Sequence, residues 1–208
     1  MRRKRSLGKW MHEHERRSIV KTDRRREVIN ICLDHFIVNG LMETSTRSLS
    51  KALQLQSAGL YYYFSSKDEA VLVCAEEAAF RLERALIVPA IADLENPNKM
   101  MSNLKVRADE MAPTMRFLVA VCTNKKYIQS VRPVLTRLDE RYDKYAEEIA
   151  TKLECEKSEV EPYVYMLITS VSNYMIFADD VFVTPQMRIA EEKFLKFITR
   201  KLQLKGCK

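Results

Sequence analysis

Residues 46–69 read TRSLSKALQLQSAGLYYYFSSKDE and contain two short helical patterns separated by a tight turn. Thr46 is a good N-cap for the first helix. The apolar side of that helix consists of Leu49, Ala52 and Leu53. Residues 54–56 form the turn, and the second helix places Leu60 and Phe64 one turn apart on its inward side. Two short helices joined in this way predict a helix-turn-helix, whose second helix enters the major groove of DNA.

The outward side of the second helix must supply hydrogen-bonding groups if it reads base edges. With Leu60 and Phe64 inward, this side presents Ser57, Tyr61 and Tyr62, and Gln56 stands at its start. The alternative is an aromatic core helix. Successive residues on a helix point about 100° apart, so three consecutive tyrosines cannot all face one core. The flanking pattern therefore favours the groove-binding interpretation.

Further helices are predicted on both sides of this segment. One covers residues 23–39 and ends at Asn39-Gly40, since glycine tolerates the left-handed conformation that follows a helix. Its apolar face consists of Val28, Ile31, Cys32, Phe36 and Ile37. On the other side, Ser66 and Glu69 form a predicted capping box that opens a long helix to about Ile91.

Residues 28–72 resemble the DNA-binding domain of the tetracycline-repressor (TetR) family. The resemblance is carried by residues 46–53, 60–64 and 66–69, with Phe36 and Gly40 where the family has them, and it covers about a fifth of the chain. It implies an all-α fold with an N-terminal three-helix helix-turn-helix DNA-binding domain. A larger helical ligand-binding and dimerisation domain would follow, with about nine helices in all.

The resemblance also implies DNA contacts, position by position. They come from the start of the first helix of the motif, the tip and aromatic segment of the second, and the lysine that opens the next helix. The predicted DNA-binding residues are Thr46, Arg47, Gln56, Ser57, Ala58, Gly59, Tyr61, Tyr62, Tyr63 and Lys67. The chain departs from the family in three places. Gln54 replaces a usual glycine of the turn, Gln56 replaces a better cap, and Ser57 stands where lysine is frequent.

The positive charge is concentrated at one end of the chain. Residues 1–67 contain 14 Lys/Arg and 6 Asp/Glu, whereas residues 68–208 contain 21 and 22, so the whole positive excess of the net charge of +7 belongs to the first third. This distribution predicts a polyanionic partner for that end, the alternative being a basic tail that aids solubility. We expect a basic arm at 1–22, a DNA-binding domain at 23–67, and a ligand-binding and dimerisation domain at 68–208.

In the second half, helices are predicted near 99–111, 114–123, 127–153, 159–180 and 185–203. Pro113 separates the first two, Pro133 lies in the first turn of the third or kinks it, and Thr184-Pro185 opens the last. Residues 160–178 are apolar on nearly all sides, which predicts a helix buried on two sides. We expect a homodimer through the last two helices, reading a palindromic operator. The alternative is that these helices form only the core of one monomer.

A binding site for a small apolar ligand is predicted in this second domain. Its candidate residues are Met115, Phe117, Tyr127, Met166, Ser170, Asn173 and Tyr174. Methionine adapts to irregular shapes, and Ser170 and Asn173 are polar groups that could orient a ligand. The alternative is ordinary core packing, with Ser170 and Asn173 bonded to each other or to a backbone carbonyl.

The remaining features exclude other classes of protein. No phosphate-binding glycine loop, zinc-protease motif or nucleophile elbow occurs, so no enzyme, cofactor or metal site is predicted. Five scattered cysteines without a CxxC pair favour a reducing cytoplasm, and no membrane segment is expected. Three hypotheses follow: a ligand-responsive repressor, a DNA-binding protein of the same fold without a small-molecule inducer, and, least supported, a small helical enzyme.

Overall fold

The computed structural model of the chain describes residues 23–177 and 183–206, and these are helical throughout apart from short connections. Their contacts divide the chain into two compact units, Met1–Glu77 and Ala78–Lys208. The basic arm expected at residues 1–22 lies outside the described residues. No helix within the described ranges is both long and apolar enough to cross a membrane.

The first helix of the first unit, α1, covers residues 23–39, as expected. Its buried face includes Val28, Cys32 and Phe36, and also Leu33, which the periodicity did not single out. Gly40 ends the helix with a φ of +88°. Its N–H donates to the Phe36 carbonyl at 2.9 Å, which satisfies one of the last carbonyls of the helix.

Helix α2, Thr46–Ala52, is capped by Ser45 and not by Thr46. Ser45 has an extended backbone, with φ −111° and ψ 163°, whereas Thr46 is already helical. The Ser48 N–H donates to the Ser45 hydroxyl at 3.1 Å, and the Ser45 N–H donates to the Ser48 hydroxyl at 3.0 Å. The N-cap prediction was therefore wrong by one residue, because the reciprocal bonds require partners three positions apart.

A 3₁₀ helix, Ser57–Tyr62, follows α2 and packs against it. Helix α3, Lys67–Leu82, comes next. The Glu69 N–H donates to the Ser66 hydroxyl at 3.1 Å, as the capping box predicts. The Glu69 carboxylate, however, accepts from the N–H and hydroxyl of Ser65, each at 2.6 Å. These bonds hold the pKa of Glu69 below its usual value.

The second unit contains the end of α3 and the helices that follow it. Their bounds are a π-helical segment at Glu83–Ile87, α4 at Val88–Ala92, α5 at Pro97–Thr123, α6 at Ile128–Leu153, α7 at Lys157–Ile176 and α8 at Val183–Gly206. The π segment comes directly before Pro89, whose ring would clash with the carbonyl four residues earlier in a regular α-helix. The wider π turn relieves that clash. It was not predicted from the sequence.

The expectation of two helices on either side of Pro113 is wrong, since both belong to α5. Because proline has no N–H, Pro113 leaves the Asp109 carbonyl without its usual partner in the helix. Pro113 is exposed, so water can hydrate that carbonyl instead. Pro133 lies inside α6, beyond the first turn. Pro185 falls in the first turn of α8, which begins two residues earlier than expected. Helix α7 ends at Ile176 with Phe177 as its C-cap, four residues before the predicted end at 180.

Helix α7 is the centre of the second unit and packs against α5, α6 and α8. One stripe along it is buried and consists of Val160, Val164, Leu167, Val171 and Met175. Most of the other apolar residues on α7 are half-buried in the single chain. A Tyr163 ring on this helix stacks on Phe197 of α8 with centroids 4.3 Å apart. One side of α7 thus belongs to the hydrophobic core, and another side is partly accessible to solvent.

Candidate nucleic-acid interface and ligand cavity

The 3₁₀ helix presents two tyrosines to solvent. Leu60 and Phe64 are each 1% exposed, whereas Tyr61 is 57% and Tyr62 is 68% exposed. The inward and outward sides predicted for these four residues are therefore confirmed. The side chains of Ser57 and Ala58 lie outside the described structure.

Tyr63 is held differently from its two neighbours. Its carbonyl accepts from the Arg25 guanidinium at 3.1 Å, which joins the end of the 3₁₀ helix to α1. The same guanidinium lies 5.9 Å from the centre of the Phe64 ring. Hydrogen bonds of the neighbouring Arg24 guanidinium raise its pKa, and the bond to Glu27 contributes more than the bond to Tyr63. Tyr63 therefore faces α1, so Tyr61 and Tyr62 are the aromatic residues whose rings are most accessible.

The turn between α2 and the 3₁₀ helix depends on a left-handed residue. Gln54 has a φ of +55°, in the conformation that glycine adopts without strain. Its N–H donates to the Lys51 carbonyl at 3.0 Å, and the Leu55 N–H donates to the Ser50 carbonyl at 2.9 Å. The turn therefore keeps its hydrogen bonds although its key position carries a side chain. Gln56 begins the 3₁₀ helix without a side-chain capping bond, as expected for a poor cap.

Gly59 fits a tight place in the 3₁₀ helix. A Cβ at this position would lie 3.0 Å from the Cβ of Leu55, closer than most real contacts. The absence of a side chain thus lets the 3₁₀ helix lie against the turn residue Leu55. Gly59 is half-buried, so its predicted DNA contact would have to come from its backbone.

The other predicted DNA-binding residues lie at the starts of helices. Arg47 is exposed in the first turn of α2, and Thr46 beside it is half-buried. Lys67, the first residue of α3, is half-buried, and its ammonium donates to the Leu41 carbonyl at 3.0 Å. The structure thus brings exposed polar side chains to the start of α2 and the 3₁₀ helix, and gives Lys67 a partner within the protein.

The positive charge of the first unit resides mainly in its first 22 residues. Residues 1–22 contain eight Lys/Arg and two Asp/Glu, whereas residues 23–77 contain six Lys/Arg and eight Asp/Glu. Residues 23–77, which include the helices that present Tyr61 and Arg47, therefore carry no positive excess as a whole. Any strong attraction of this unit to a polyanion has to include the arm.

The second unit contains a cavity of about 80 Å³ that is partly open to solvent. Its lining is mostly apolar with a few polar groups, as in small-molecule sites. The walls come from the end of α3, the π segment and helices α4 to α8. The lining residues are Leu82, Leu86, Ile87, Ala90, Ile91, Leu94, Met100, Leu104, Met115, Tyr142, Tyr145, Ile149, Val164, Leu167, Ile168, Val171, Ser172, Met175 and Phe194.

A polar cluster lies next to the cavity at the π segment. Glu83, which is 9% exposed, accepts hydrogen bonds from the Arg141 guanidinium on one carboxylate oxygen and from the Tyr145 hydroxyl on the other. Burial and the Glu83 charge raise the pKa of Tyr142, and burial and the Glu83 hydrogen bond raise that of Tyr145. Both phenols therefore stay protonated near neutral pH. The Arg141 guanidinium also lies 6.0 Å from the centre of the Phe80 ring.

Of the seven residues predicted from the sequence to bind a ligand, Met115 lines the cavity. Phe117 and Tyr127 are buried elsewhere in the second unit. The structure also does not bring four residues of α7 to the cavity wall, and these are Met166, Ser170, Asn173 and Tyr174. Met166 and Asn173 lie on the other side of α7 from Val164 and Val171, and the Tyr174 hydroxyl donates to Asp109 at 2.6 Å.

Sequence reasoning missed the polar residues that do line the cavity, Tyr142, Tyr145 and Ser172. A signal for the two tyrosines existed: with Ile149 they follow an i, i+3, i+7 pattern on α6. Ser172 follows Ile168 by four residues, on the cavity side of α7. Across residues 23–177 and 183–206, no His, Cys, Asp or Glu side chains gather in groups of three as a metal site would need. His12 and His14 lie outside these ranges.

Comparison with known proteins gives a likeness in fold alone. No protein-family model matches the sequence, and no curated protein matches it significantly. A TetR-family transcriptional regulator from Streptomyces coelicolor superposes with a TM-score of 0.58 at 14% identity, over 88% of this chain and 89% of that one. A protein assigned to the same family from Mesorhizobium loti gives 0.59 at 13% identity, over 84% and 96%. The chain has the fold of TetR-family transcriptional regulators.

Proposed function

We propose that the chain is a DNA-binding transcriptional regulator of the TetR family. On this proposal α2, the turn at Gln54 and the 3₁₀ helix form a helix-turn-helix. The observation that carries it is the exposure of Tyr61 and Tyr62 on a short helix anchored by fully buried Leu60 and Phe64. Solvent-exposed phenol rings suit contacts to phosphates and bases, and a buried anchor fixes their orientation.

The regulator would act as a homodimer through α7 and α8. Both helices carry large apolar side chains that one chain leaves accessible. Phe177 is 52%, Ile189 is 54% and Leu204 is 56% exposed. A second copy related by two-fold symmetry would cover them in a four-helix bundle. Such a dimer would present two recognition helices to a palindromic double-stranded operator.

The regulator would respond to a small, mainly apolar molecule in the cavity of the second unit. A second unit without a cavity would have favoured the alternative, a DNA-binding protein without an inducer, and the apolar cavity of about 80 Å³ favours a ligand. Leu82 lines this cavity and is the last residue of α3, which begins at Lys67 near the 3₁₀ helix. A ligand that favours another position of α3 would lower the affinity for DNA and relieve repression. The protein would act in the cytoplasm and would not be an enzyme.

The test is fluorescence anisotropy of the purified chain with duplexes from the DNA upstream of its own gene, titrated against salt. The informative variant is Tyr61→Phe/Tyr62→Phe, which removes two hydroxyls and keeps both rings. Each lost phosphate contact weakens binding by about 1 kcal/mol, so we expect a loss of roughly tenfold or more for the pair. Tyr165→Phe removes a half-buried hydroxyl from α7 and is the matched control.

Tight binding to one duplex that falls with salt, is weakened in the double variant and is unchanged in the control would support the helix-turn-helix. If no upstream duplex binds better than random DNA, the next experiment is to select binding sequences from a pool of random duplexes. A pool from which no sequence is enriched would refute the proposal.

A further inference from the structure

The cavity in the second unit has few polar groups in its wall, and these groups restrict the chemistry of its ligand. The inference rests on the proposed regulator function and deepens it by naming the class of effector. Among the lining residues of the described structure, Tyr142, Tyr145 and Ser172 are the ones that carry a hydroxyl. None of the lining residues is charged.

Tyr145 is the link between the cavity and the buried carboxylate of Glu83. Tyr145 lines the cavity, whereas Glu83 and Arg141 are not part of its wall. The Glu83 side chain is 10% exposed and the Arg141 side chain is 43% exposed, so the guanidinium lies towards solvent and the carboxylate lies inside. The positive charge that balances Glu83 is therefore not presented to a ligand in the cavity.

The hydrogen bond between Tyr145 and Glu83 decides what the Tyr145 oxygen can do. Its proton is committed to the Glu83 carboxylate, so the lone pairs of the phenol oxygen remain available as acceptors. Donation to an anion strengthens this acceptor, because hydrogen bonds in a chain polarise one another. A ligand group that donates an N–H or O–H to Tyr145 would extend the chain from ligand to Tyr145 to Glu83.

A ligand anion next to the Tyr145 hydroxyl would be bound unfavourably. A ligand carboxylate needs donors, but Tyr145 already donates to Glu83, and a second negative charge would stand near a carboxylate in an apolar surrounding. Charges of like sign repel more strongly there than in water. The neutral hydroxyls of Tyr142 and Ser172 would compensate only in part for the lost hydration of a carboxylate.

We infer that the effector is an apolar molecule whose polar end donates a hydrogen bond, as an alcohol or amine does, and that the cavity excludes carboxylates and other anions. The polar end would lie at Tyr145, and the apolar body would lie among Leu86, Ile91, Leu104 and Val171. The inference concerns the class of ligand. It names no individual molecule.

Three probes of equal chain length test the inference: decanol, decylamine and decanoate. Each is titrated into the full-length protein at pH 7 in an isothermal titration calorimeter, below the concentration at which it forms micelles. We expect decanol and decylamine to bind about tenfold or more tightly than decanoate. In Glu83→Gln, which keeps the shape and removes the charge, decanoate should gain affinity and the difference should shrink severalfold.

Tyr145→Phe provides a second test that does not depend on the folding of the Glu83 variant. It removes the acceptor, so decanol should lose about tenfold in affinity. Tyr165→Phe should bind all three probes as the unmodified protein does. Decanoate binding as tightly as decanol would overturn the inference, as would failure of all three probes to bind or an unchanged decanol affinity in Tyr145→Phe.

The DNA assay separates this inference from the proposed function. A protein that binds its duplex but discriminates no probe would overturn the inference and leave the regulator proposal intact. A protein that binds decanol and decylamine selectively but enriches no duplex from a random pool would overturn the regulator proposal and leave the inference about the ligand class intact.

Discussion

The ammonium nitrogen of Lys67 lies 3.0 Å from the carbonyl oxygen of Leu41, which ties the first residue of α3 to the loop that follows α1. The family resemblance assigns Lys67 a phosphate contact, and the structure adds a partner within the protein. Replacing Lys67 by Met keeps most of the aliphatic stem and removes the donor. We expect Lys67→Met to lower the free energy of unfolding by about 1 kcal/mol, measured by urea denaturation. Lys51→Met, at an exposed lysine of α2, should change it by less than half as much; equal effects would contradict a stabilising role for this bond.

The left-handed backbone of Gln54 predicts a stabilising substitution. A residue with a Cβ at a φ of +55° costs about 1 kcal/mol that glycine does not incur. Gln54→Gly should therefore raise the free energy of unfolding, by less than this figure because glycine also gains entropy in the unfolded chain.

Gln56→Gly is the matched control for this substitution. Gln56 has a φ of −66°, so no strain is relieved and the substitution should be neutral or destabilising. Thermal unfolding followed by circular dichroism measures both variants. If the two changes in melting temperature are equal, the strain attributed to Gln54 is absent.

The two helices between residues 46 and 62 were predictable because their signals are local. Leu60 and Phe64 are one turn apart and are both buried, and the missing glycine at Gln54 marked the strained position in advance. Small errors arose where two neighbours could serve the same purpose. Ser45 and Thr46 are both good N-caps, and the serine three residues after Ser45 decides between them.

The cavity of the second unit was less predictable because it depends on which side of α7 faces the core. Apolar residues occur on nearly every side of this helix, so periodicity could not separate the side of Val164 and Val171 from the side of Met166 and Tyr174. The choice is made by packing against distant segments, and the cavity wall combines residues from Leu82 to Phe194. A π turn before Pro89 also had no sequence signal beyond the proline itself.

Ser50 is buried in α2, and its hydroxyl finds no hydrogen-bond partner among the described residues. An unsatisfied buried hydroxyl costs about 1 kcal/mol or more, and alanine is also the better helix former. We expect Ser50→Ala to raise the free energy of unfolding by about 1 kcal/mol in urea denaturation.

A serine two positions earlier gives the opposite expectation. Ser48→Ala removes the hydroxyl that accepts from the Ser45 N–H and should lower the free energy of unfolding by about 1 kcal/mol. A loss of stability in Ser50→Ala would show that this hydroxyl has a partner, such as a buried water.

The proposed dimer predicts that a charge on the outer side of α8 separates the subunits. Ile189 is 54% exposed in one chain, and burying a glutamate at this position of a dimer without a partner is costly. Ile189→Glu should convert the dimer to a monomer in sedimentation velocity and weaken operator binding. Val106→Glu, at a residue of α5 that is 59% exposed, should leave the assembly unchanged. An Ile189→Glu protein that stays dimeric would place the interface elsewhere.

The charge of residues 1–22 predicts how DNA binding depends on salt. Their eight Lys/Arg contrast with the excess of Asp/Glu in residues 23–77, so the arm should neutralise most of the phosphates that the protein contacts. The slope of log affinity against log salt is about −0.9 for each neutralised phosphate. Removing residues 1–22 should therefore make the slope of log affinity against log salt shallower by several units. The affinity for DNA should fall far more at low salt than at high salt. Anisotropy titrations would measure both effects. Lys105→Gln/Arg116→Gln, which removes two exposed charges from α5, should leave the slope unchanged. A shortened protein with the full slope would assign the phosphate contacts to Arg47 and its neighbours, and the arm would then serve another purpose.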